Sequence, residues 1–558
     1  MMKDPFLQIS EAKKKNAIAR LKRYRESHPP SRLFEEYRKG LNYKSSNDVF
    51  ENAKKNENFF IGKQWEGVNA PNMDKPVFNI LKRVINYFIA NLVSDKIGIH
   101  FSLINRVEDD TKKIYLKAVR RQIELVMEQN KYYQKARLAL RDAAVTGNGC
   151  MHLYYDPAVK TGHEGEEGGI SVELIDATDI IFGNPMTSEV QEQPYIIIAA
   201  RRTKQSVLEE LERLNKESLM PEIVSDGAEN PNVSEDDDLY DDKLTVLTKY
   251  YKRNGRVFFT KVTKNVAIFE PTDTGMELYP VCYMNWERKK NSMHGVGIVD
   301  GLIPNQIAIN KMAAMSFQFI KQQAFPRVIY NKQKIERWQT GLAPIAVNGD
   351  PNDVLFYDKT SNEMSSAVPV FFEKFVSYTR DLMGASDAAL GNVAPDNTSA
   401  IIAVQKATAI PLELVKQEYY QFVEDFVRIN IEIMKSYFGV RTILVTDEAG
   451  NDSEQPYDFS LLNDMVFALN VDIGASNYWQ ETTDIGTLDN LRMANVIDDL
   501  TYVESLPEHS VPNREKIIET IRERQEAAQM QNEAALAEGQ GNPSIGNIQN
   551  DELGILNN

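Results

Sequence analysis

Phosphate handling is the first chemistry to seek in this 558-residue chain, because a nucleotide-driven motor needs a glycine-rich loop whose amides and lysine cradle phosphates. No G-x-x-x-x-G-K-[ST] segment occurs, and Gly62-Lys63 lacks the earlier glycine. The run Gly295-Val296-Gly297-Ile298-Val299-Asp300-Gly301 misses the dinucleotide-binding spacing by one position and opens no βαβ unit, so its glycines are read as a tight backbone turn. Metal chemistry asks for ligands at close spacing. His28, His100, His152, His163, His294 and His509 form no H-E-x-x-H pair and lie far apart, which leaves metal catalysis without a handle. Cys150 and Cys282 are the only thiols, too few for a thiolate site or a disulfide framework, and are read as bystanders. Asp236-Asp237-Asp238 lacks the alternating geometry of a calcium loop. Gly384-Ala385-Ser386-Asp387-Ala388 begins like a nucleophile elbow, yet its last glycine is missing and a helix precedes Ser386 where a strand is required. No catalytic, cofactor-binding or metal-ligating residue is therefore assigned, and no cofactor is expected.

The bulk properties are those of a folded, acidic protein. Hydrophobic residues make up 42% and charged residues 26%, ordinary for globular chains, and the length implies about three or four domains. With 64 Lys and Arg against 80 Asp and Glu the net charge is −16, which excludes a histone-like coating of duplex DNA. Charge is also segregated. Residues 1–44 carry 12 basic and 5 acidic side chains, leaving the remainder at −23. This basic arm could touch nucleic acid or an acidic partner, but the favoured reading is a solvated helix or flexible tail. No apolar run reaches 18 residues and the N-terminus lacks a signal-peptide core, so neither a membrane span nor secretion is expected.

Periodicity then places the elements. The pattern turns helical from Ser45, with Phe50, Phe59, Phe60 and Trp65. Pro76-Val77-Phe78-Asn79 opens an amphipathic helix over residues 76–96, followed by helices over 111–129 and 132–145. The last stops at Thr146-Gly147-Asn148-Gly149 and passes into a strand over 150–155. Further strands over 170–174, 195–200, 244–251, 257–262 and 267–269 make residues 150–285 a mixed α/β region. Within it, the acidic stretch 221–242 reads as a mobile surface loop. A long helix over 302–323 ends at Phe325-Pro326. A compact β-rich insertion follows, with strands over 327–330, 343–347 and 354–357 and turn residues Gly349-Asp350-Pro351-Asn352. Pro369 opens a returning helix with Phe372, Phe375, Val376, Leu382 and Met383 on one face, stopped by Gly384. Residues 387–397 form a loop, and Asn397 or Thr398 caps a long helix over 400–438 that Pro411 kinks and Gly439 ends. Strands over 441–445 and 465–473, helices over 487–504 and 514–535, and a frayed tail over 529–558 complete an α+β multidomain chain.

This order of elements resembles the portal proteins of tailed bacteriophages. The likeness is sharpest in Tyr279-Pro280, Trp286 and His294-Gly295-Val296-Gly297-Ile298-Val299-Asp300-Gly301-Leu302, continuing to Gln306 and Asn310. Phe59-Phe60-Ile61-Gly62-Lys63-Gln64-Trp65, Thr146-Gly147-Asn148-Gly149 and Thr398-Ser399-Ala400-Ile401 agree with it. Each motif alone is a turn or cap found in many folds; their order across residues 45–510 carries the resemblance. It implies a portal fold with an α/β wing, helical stem, small β-rich clip and helical crown. Along the chain these are a basic arm (1–44), wing (45–300), first stem helix (301–325), clip (326–367), second stem helix (368–386), tunnel loop (387–399), long kinked helix returning to the wing (400–480), crown (481–535) and flexible tail (536–558).

The resemblance further implies a homo-oligomeric ring of roughly twelve subunits at one capsid vertex of the virion, assembled in the host cytoplasm. Double-stranded DNA would pass through its channel during packaging and ejection. The terminase motor, tail-adaptor proteins, scaffold protein and major capsid protein would be the partners. Roughly twelve copies at −16 give a ring of about −192, which would repel DNA from most surfaces and let it slide. Helix 302–323 places apolar residues on more than one face among polar ones, as a helix packed between neighbours needs; a buried helix of a monomer is the plainer account. Gln306, Asn310, Phe317, Lys321 and Phe375 are the expected stem residues. Lys332, Lys334, Arg337 and Trp338 are expected to dock partners on the clip, although Trp338 fits clip core equally well. Asp387, Leu390, Gly391, Asn392, Pro395, Asp396 and Asn397 are the expected tunnel loop, free of Lys and Arg that would hold phosphate; an exterior connector is the alternative. Two other functional classes compete: a nucleic-acid-processing enzyme, either a terminase-like ATPase, disfavoured by the missing phosphate loop, or a nuclease with carboxylates assembled from distant residues, and a soluble binding protein that stays monomeric or dimeric.

Overall fold

The computed structural model describes residues 30–71, 73–93, 97–103, 110–160, 167–231, 242–324, 328–330, 332–335, 348–350, 355–357, 367–382, 412–446, 452–464, 467–473, 478–494, 496–506, 517–518, 520–522 and 524. The chain divides into two compact units, residues 1–445 with 453–473, and residues 446–452 with 474–558. The described residues mix helices and strands, in keeping with the expected α+β class.

The first unit opens with helices α1 (Pro30–Ser46), α2 (Val49–Ile61) and α3 (Ile80–Val93). Leu81, Val84, Ile85, Phe88, Ile89 and Leu92 of α3 recur at three- and four-residue spacing and are all buried, as an amphipathic helix on a core requires. The helix starts four residues later than Pro76 because Asn79 caps it, its Oδ1 accepting from Lys82 N at 3.1 Å. Strand β1 (Ile97–Leu103) and helices α4 (Asp110–Gln129) and α5 (Tyr132–Thr146) follow. Small residues Ala136, Ala139, Ala143 and Ala144 let one face of α5 pack closely into the core. Gly147 ends it at φ 97°, donating to Ala143 O.

Two antiparallel sheets come next. Strands β2 (Asn148–Lys160), β3 (Glu167–Ile175) and β9 (Val281–Asn285) form one in the order β3-β2-β9. The other is the meander β4 (Ile180–Phe182), β5 (Tyr195–Thr203), β6 (Lys243–Arg253), β7 (Arg256–Val262) and β8 (Ala267–Asp273). Strand alternation divides the meander's side chains. Ile196 and Ile198 join Cys150, Val281 and Tyr283 of the first sheet in one core, whereas Ile197 and Ala199 face Leu33, Phe34, Tyr37 and Leu41 of α1. The last third of the basic arm is thus a docked helix beginning at Pro30, ahead of the helical start expected at Ser45. Its apolar residues 33, 34, 37 and 41 carry the helical period beneath the charge.

The acidic stretch expected to be mobile is tied down over its described first half. Ile223 is buried, Arg201 pairs with Asp226 at 2.6 Å, Arg38 with Glu229, and Asn230 donates to Asp179. A count of acidic residues cannot reveal that their cationic partners lie on α1 and β5.

Helix α6 (Lys204–Arg213) covers one flank of the meander. Helix α7 (Ile298–Ala324) then leads to a two-stranded ladder, β10 (Val328–Tyr330) with β11 (Leu355–Tyr357), and back through α8 (Ala367–Leu382). The expected strand over 343–347 lies outside the described residues. Helix α9 (Glu413–Tyr437) threads the main core through Tyr419, Phe422, Val423, Phe426 and Val427; residues 400–411, where the long helix was expected to begin and to kink at Pro411, lie outside the described residues. Strands β12 (Val440–Thr446), β13 (Asp452–Asp458) and β14 (Phe467–Ile473) follow. β14 pairs antiparallel with β1, Ile97 opposite Ile473. β1, β4, β9 and β13 were not read as strands: β4 has three residues and β13 is rich in polar ones, whereas β1 carries a two-residue alternation, Ile97, Ile99, Phe101 and Leu103, that was overlooked. In the second unit the single helix expected over 487–504 is two, α10 (Tyr478–Met493) and α11 (Asp499–Ser505). Asp498 separates them by capping α11, accepting from Thr501 N.

Candidate functional site

The foot of α7 is built by close backbone contact and a polar network. A Cβ on Gly297 would sit 2.6 Å from Val145 O, one on Gly147 2.6 Å from Gly295 O, and one on Gly295 2.8 Å from Glu287 O. Gly295 and Gly297 therefore serve a crossing of two chain segments, not the tight turn expected from their spacing. Asp300 accepts from Gly297 N at 3.3 Å, the return bond of a capping box, and from Asn56 Nδ2 at 2.9 Å. Nearly three turns on, Asn310 donates to Gln64 Oε1 at 2.6 Å and accepts from Phe78 N and Gln306 Nε2, while Gln306 also donates to Phe78 O. Gln306 and Asn310 are both buried. This network ties residues 64–78 to the helix, and Lys321 extends the attachment through an ion pair with Asp74 at 2.6 Å.

Beyond Ala314 the helix carries apolar residues without cover. Gln306, Ile309, Ala313, Phe317 and Ile320 lie along one face at 3.6 residues per turn. The first three are buried, yet Phe317 is 42% and Ile320 53% exposed. Met315, on the opposite side, is 58% exposed. Helix α8 packs against α7, with Phe372 edge-to-face on Phe78 at 6.1 Å and Thr379 buried. Its other side shows Val370, Phe371 and Tyr378, the last 61% exposed. Phe371 and Tyr378 stand two turns apart, and Phe375 stacks on Phe371 at 5.9 Å. The two helices thus satisfy each other on one side and leave an apolar surface elsewhere.

Of the expected stem residues, Gln306 and Asn310 are engaged within the chain, Lys321 is paired with Asp74, and Phe317 and Phe375 border the bare surface. Met315, Val370, Phe371 and Tyr378 were missed; the usable signal was an excess of apolar residues over what one helix face can bury. Of the clip residues, Lys332 is exposed and Lys334 half-buried, with its carbonyl accepting from Asn348 N at 3.0 Å. Arg337 and Trp338 lie outside the described residues, as do all seven expected tunnel-loop residues.

Several ionisable groups of the body are buried. Burial pushes His152 and His294 down to about 3, and His152 is held by Tyr250 Oη at 2.8 Å. Burial pushes the Cys150 and Cys282 thiols up. Among the described residues no three His, Cys, Asp or Glu side chains stand close enough to hold a metal ion, and no helix is long and apolar enough to cross a membrane. A groove of about 330 Å³ between the start of α1 and β7–β8 is lined by Leu33, Glu36, Glu222, Lys249 and Glu270, none of them an expected site residue. No family model matches this chain, and no curated protein matches it.

Proposed function

We propose that this chain is a portal-type subunit. Roughly twelve copies close into a ring at one vertex of a tailed-phage capsid, forming a channel for DNA packaging and ejection and a platform for the terminase motor and tail adaptors. The carrying observation is the bare apolar surface of the helix pair, with Met315 on one side of α7, Phe317 and Ile320 on the other, and Phe371 and Tyr378 on α8. Apolar residues on opposite sides of one helix call for two neighbours, which fits a head-to-tail contact repeated by rotation. The β10–β11 ladder between the helices suits the role of clip, and the order of elements agrees with the resemblance. A net charge of −16 per chain suits a conduit that must not grip phosphate. In this reading the protein resides in the virion after assembly in the host cytoplasm. Native mass spectrometry with negative-stain imaging tests it. A closed ring with a central opening is expected; monomers and dimers alone under assembly conditions, including added scaffold protein, would overturn it.

A further inference from the structure

The groove of about 330 Å³ at the start of α1 has an apolar floor and a carboxylate rim. Leu33 of α1, Leu219 of the short helix Glu217–Glu222, Val266 of the β7–β8 connection and Pro271 of β8 supply the floor. On the rim Glu36, Glu222 and Glu270 stand against two cations, Arg32 and Lys249. Lys249 is already spent, since it pairs with Glu36 at 2.5 Å and lies 4.4 Å from the centre of the Tyr195 ring. Glu222 is exposed, and its carboxylate makes no hydrogen bond or ion pair among the described residues. Such a groove suits an apolar side chain with a cationic one beside it.

Pro30, the first residue of α1, lines the same groove. Residues 1–29 precede it and lie outside the described residues; they carry eight basic and three acidic side chains. Among them Ile18, Leu21 and Tyr24 alternate with Arg20, Lys22, Arg23 and Arg25, so that every apolar residue has a cation within two positions. Arg25 is five residues from Pro30, an extended reach of about 17 Å. Pro29-Pro30 keeps a preceding helix from running straight into α1, which places the change of course beside the groove.

We propose that this groove is the dock for the chain's own basic segment, residues 18–25, with an apolar side chain seated on Leu33, Leu219 and Val266 and a neighbouring arginine or lysine at Glu222. The tether favours this occupant over others of similar chemistry, because a segment joined to the groove's own edge is present at a high effective concentration. The ion pair lies at the surface, so salt loosens the dock. A seated segment also withholds its cations from phosphate.

Photo-crosslinking on the full chain tests the dock. The photoreactive amino acid p-benzoylphenylalanine replaces Asn265, an exposed residue lining the groove, in protein assembled from an equal mixture of unlabelled and isotope-labelled chains. Cross-links should map to residues 18–25 and join peptides of like label only. Cross-links joining unlike labels would give the groove to a neighbouring copy's arm, and cross-links reaching no residue before Pro30 would leave it without this occupant; either result overturns the proposal. Trypsin supplies a second readout. Cleavage after Arg20, Lys22, Arg23 and Arg25 should be about tenfold slower in the full chain than in a synthetic peptide of residues 1–29 at low salt. Glu222→Lys, a change at an exposed carboxylate, should remove most of that protection. Equal rates in chain and peptide, or protection that survives both Glu222→Lys and high salt, would also overturn it.

Discussion

Gly297 has a carbonyl where a side chain would go, with Val145 O 2.6 Å from its Cβ position. Neither partner is a flexible side-chain tip, so Gly297→Ala must move backbone. We expect a loss of about 1–3 kcal/mol, read as a lower urea midpoint with unchanged slope. Asn310 acts by hydrogen bonding. Asn310→Ala strands Gln64 Oε1, Phe78 N and one bond of Gln306 in a buried place, and about 2–4 kcal/mol should go the same way. A loss below about 0.5 kcal/mol would mean the network contributes nothing net. Asp142 and Asp179 set a pH dependence. Burial raises both to about 6, opposed by Arg141 at Asp142 and, at Asp179, reinforced by Asp176. A carboxyl with a raised folded-state pKa contributes stability in full below its unfolded value near 3.9 and loses it as pH rises through about 6. Each should contribute at most about 2–3 kcal/mol at acid pH. Thermal scans from pH 4 to 7 should show Asp142→Asn and Asp179→Asn with a shallower decline than the native chain.

At the scale of elements, the α7–α8 pair is stable within the chain on one side and unfinished on the other. Replacing Phe371 and Tyr378 by Ser removes bare apolar area that the monomer does not bury. Subunit stability should stay within about 0.5 kcal/mol, while light scattering should show assembly shifted toward free subunits. A ring population unchanged by this double variant would place the contact elsewhere. The β10–β11 ladder carries a separate expectation. If the proposed clip docks the motor and adaptor proteins, Lys334→Glu with Arg337→Glu should leave rings intact and weaken co-sedimentation of those partners by adding repulsion at the proposed contact.

For the whole molecule, the proposed ring depends on weak contact with DNA. Asp387→Arg with Asp396→Arg should slow packaging or weaken DNA retention while rings still form, since each added cation takes a phosphate contact and its counterions; an exterior connector would tolerate both changes. The amino-acid pattern by itself determined the long helices, most strands of the meander, the helix–ladder–helix excursion and the absence of familiar catalytic motifs. These follow from local periodicity, turn chemistry and caps, which need no knowledge of partners. Tertiary structure alone decided four things. It turned the last third of the basic arm into a docked helix, because Leu33, Phe34, Tyr37 and Leu41 find Ile181 and Ile197. It gave the acidic stretch its cationic partners, Arg38 and Arg201. It spent Gln306 and Asn310 inside the chain and left Met315, Ile320, Phe371 and Tyr378 bare. And it buried Lys44 among carbonyls more than 130 residues away in sequence. A contact between residues so far apart depends on which elements meet, and periodicity within each segment carries no record of that meeting.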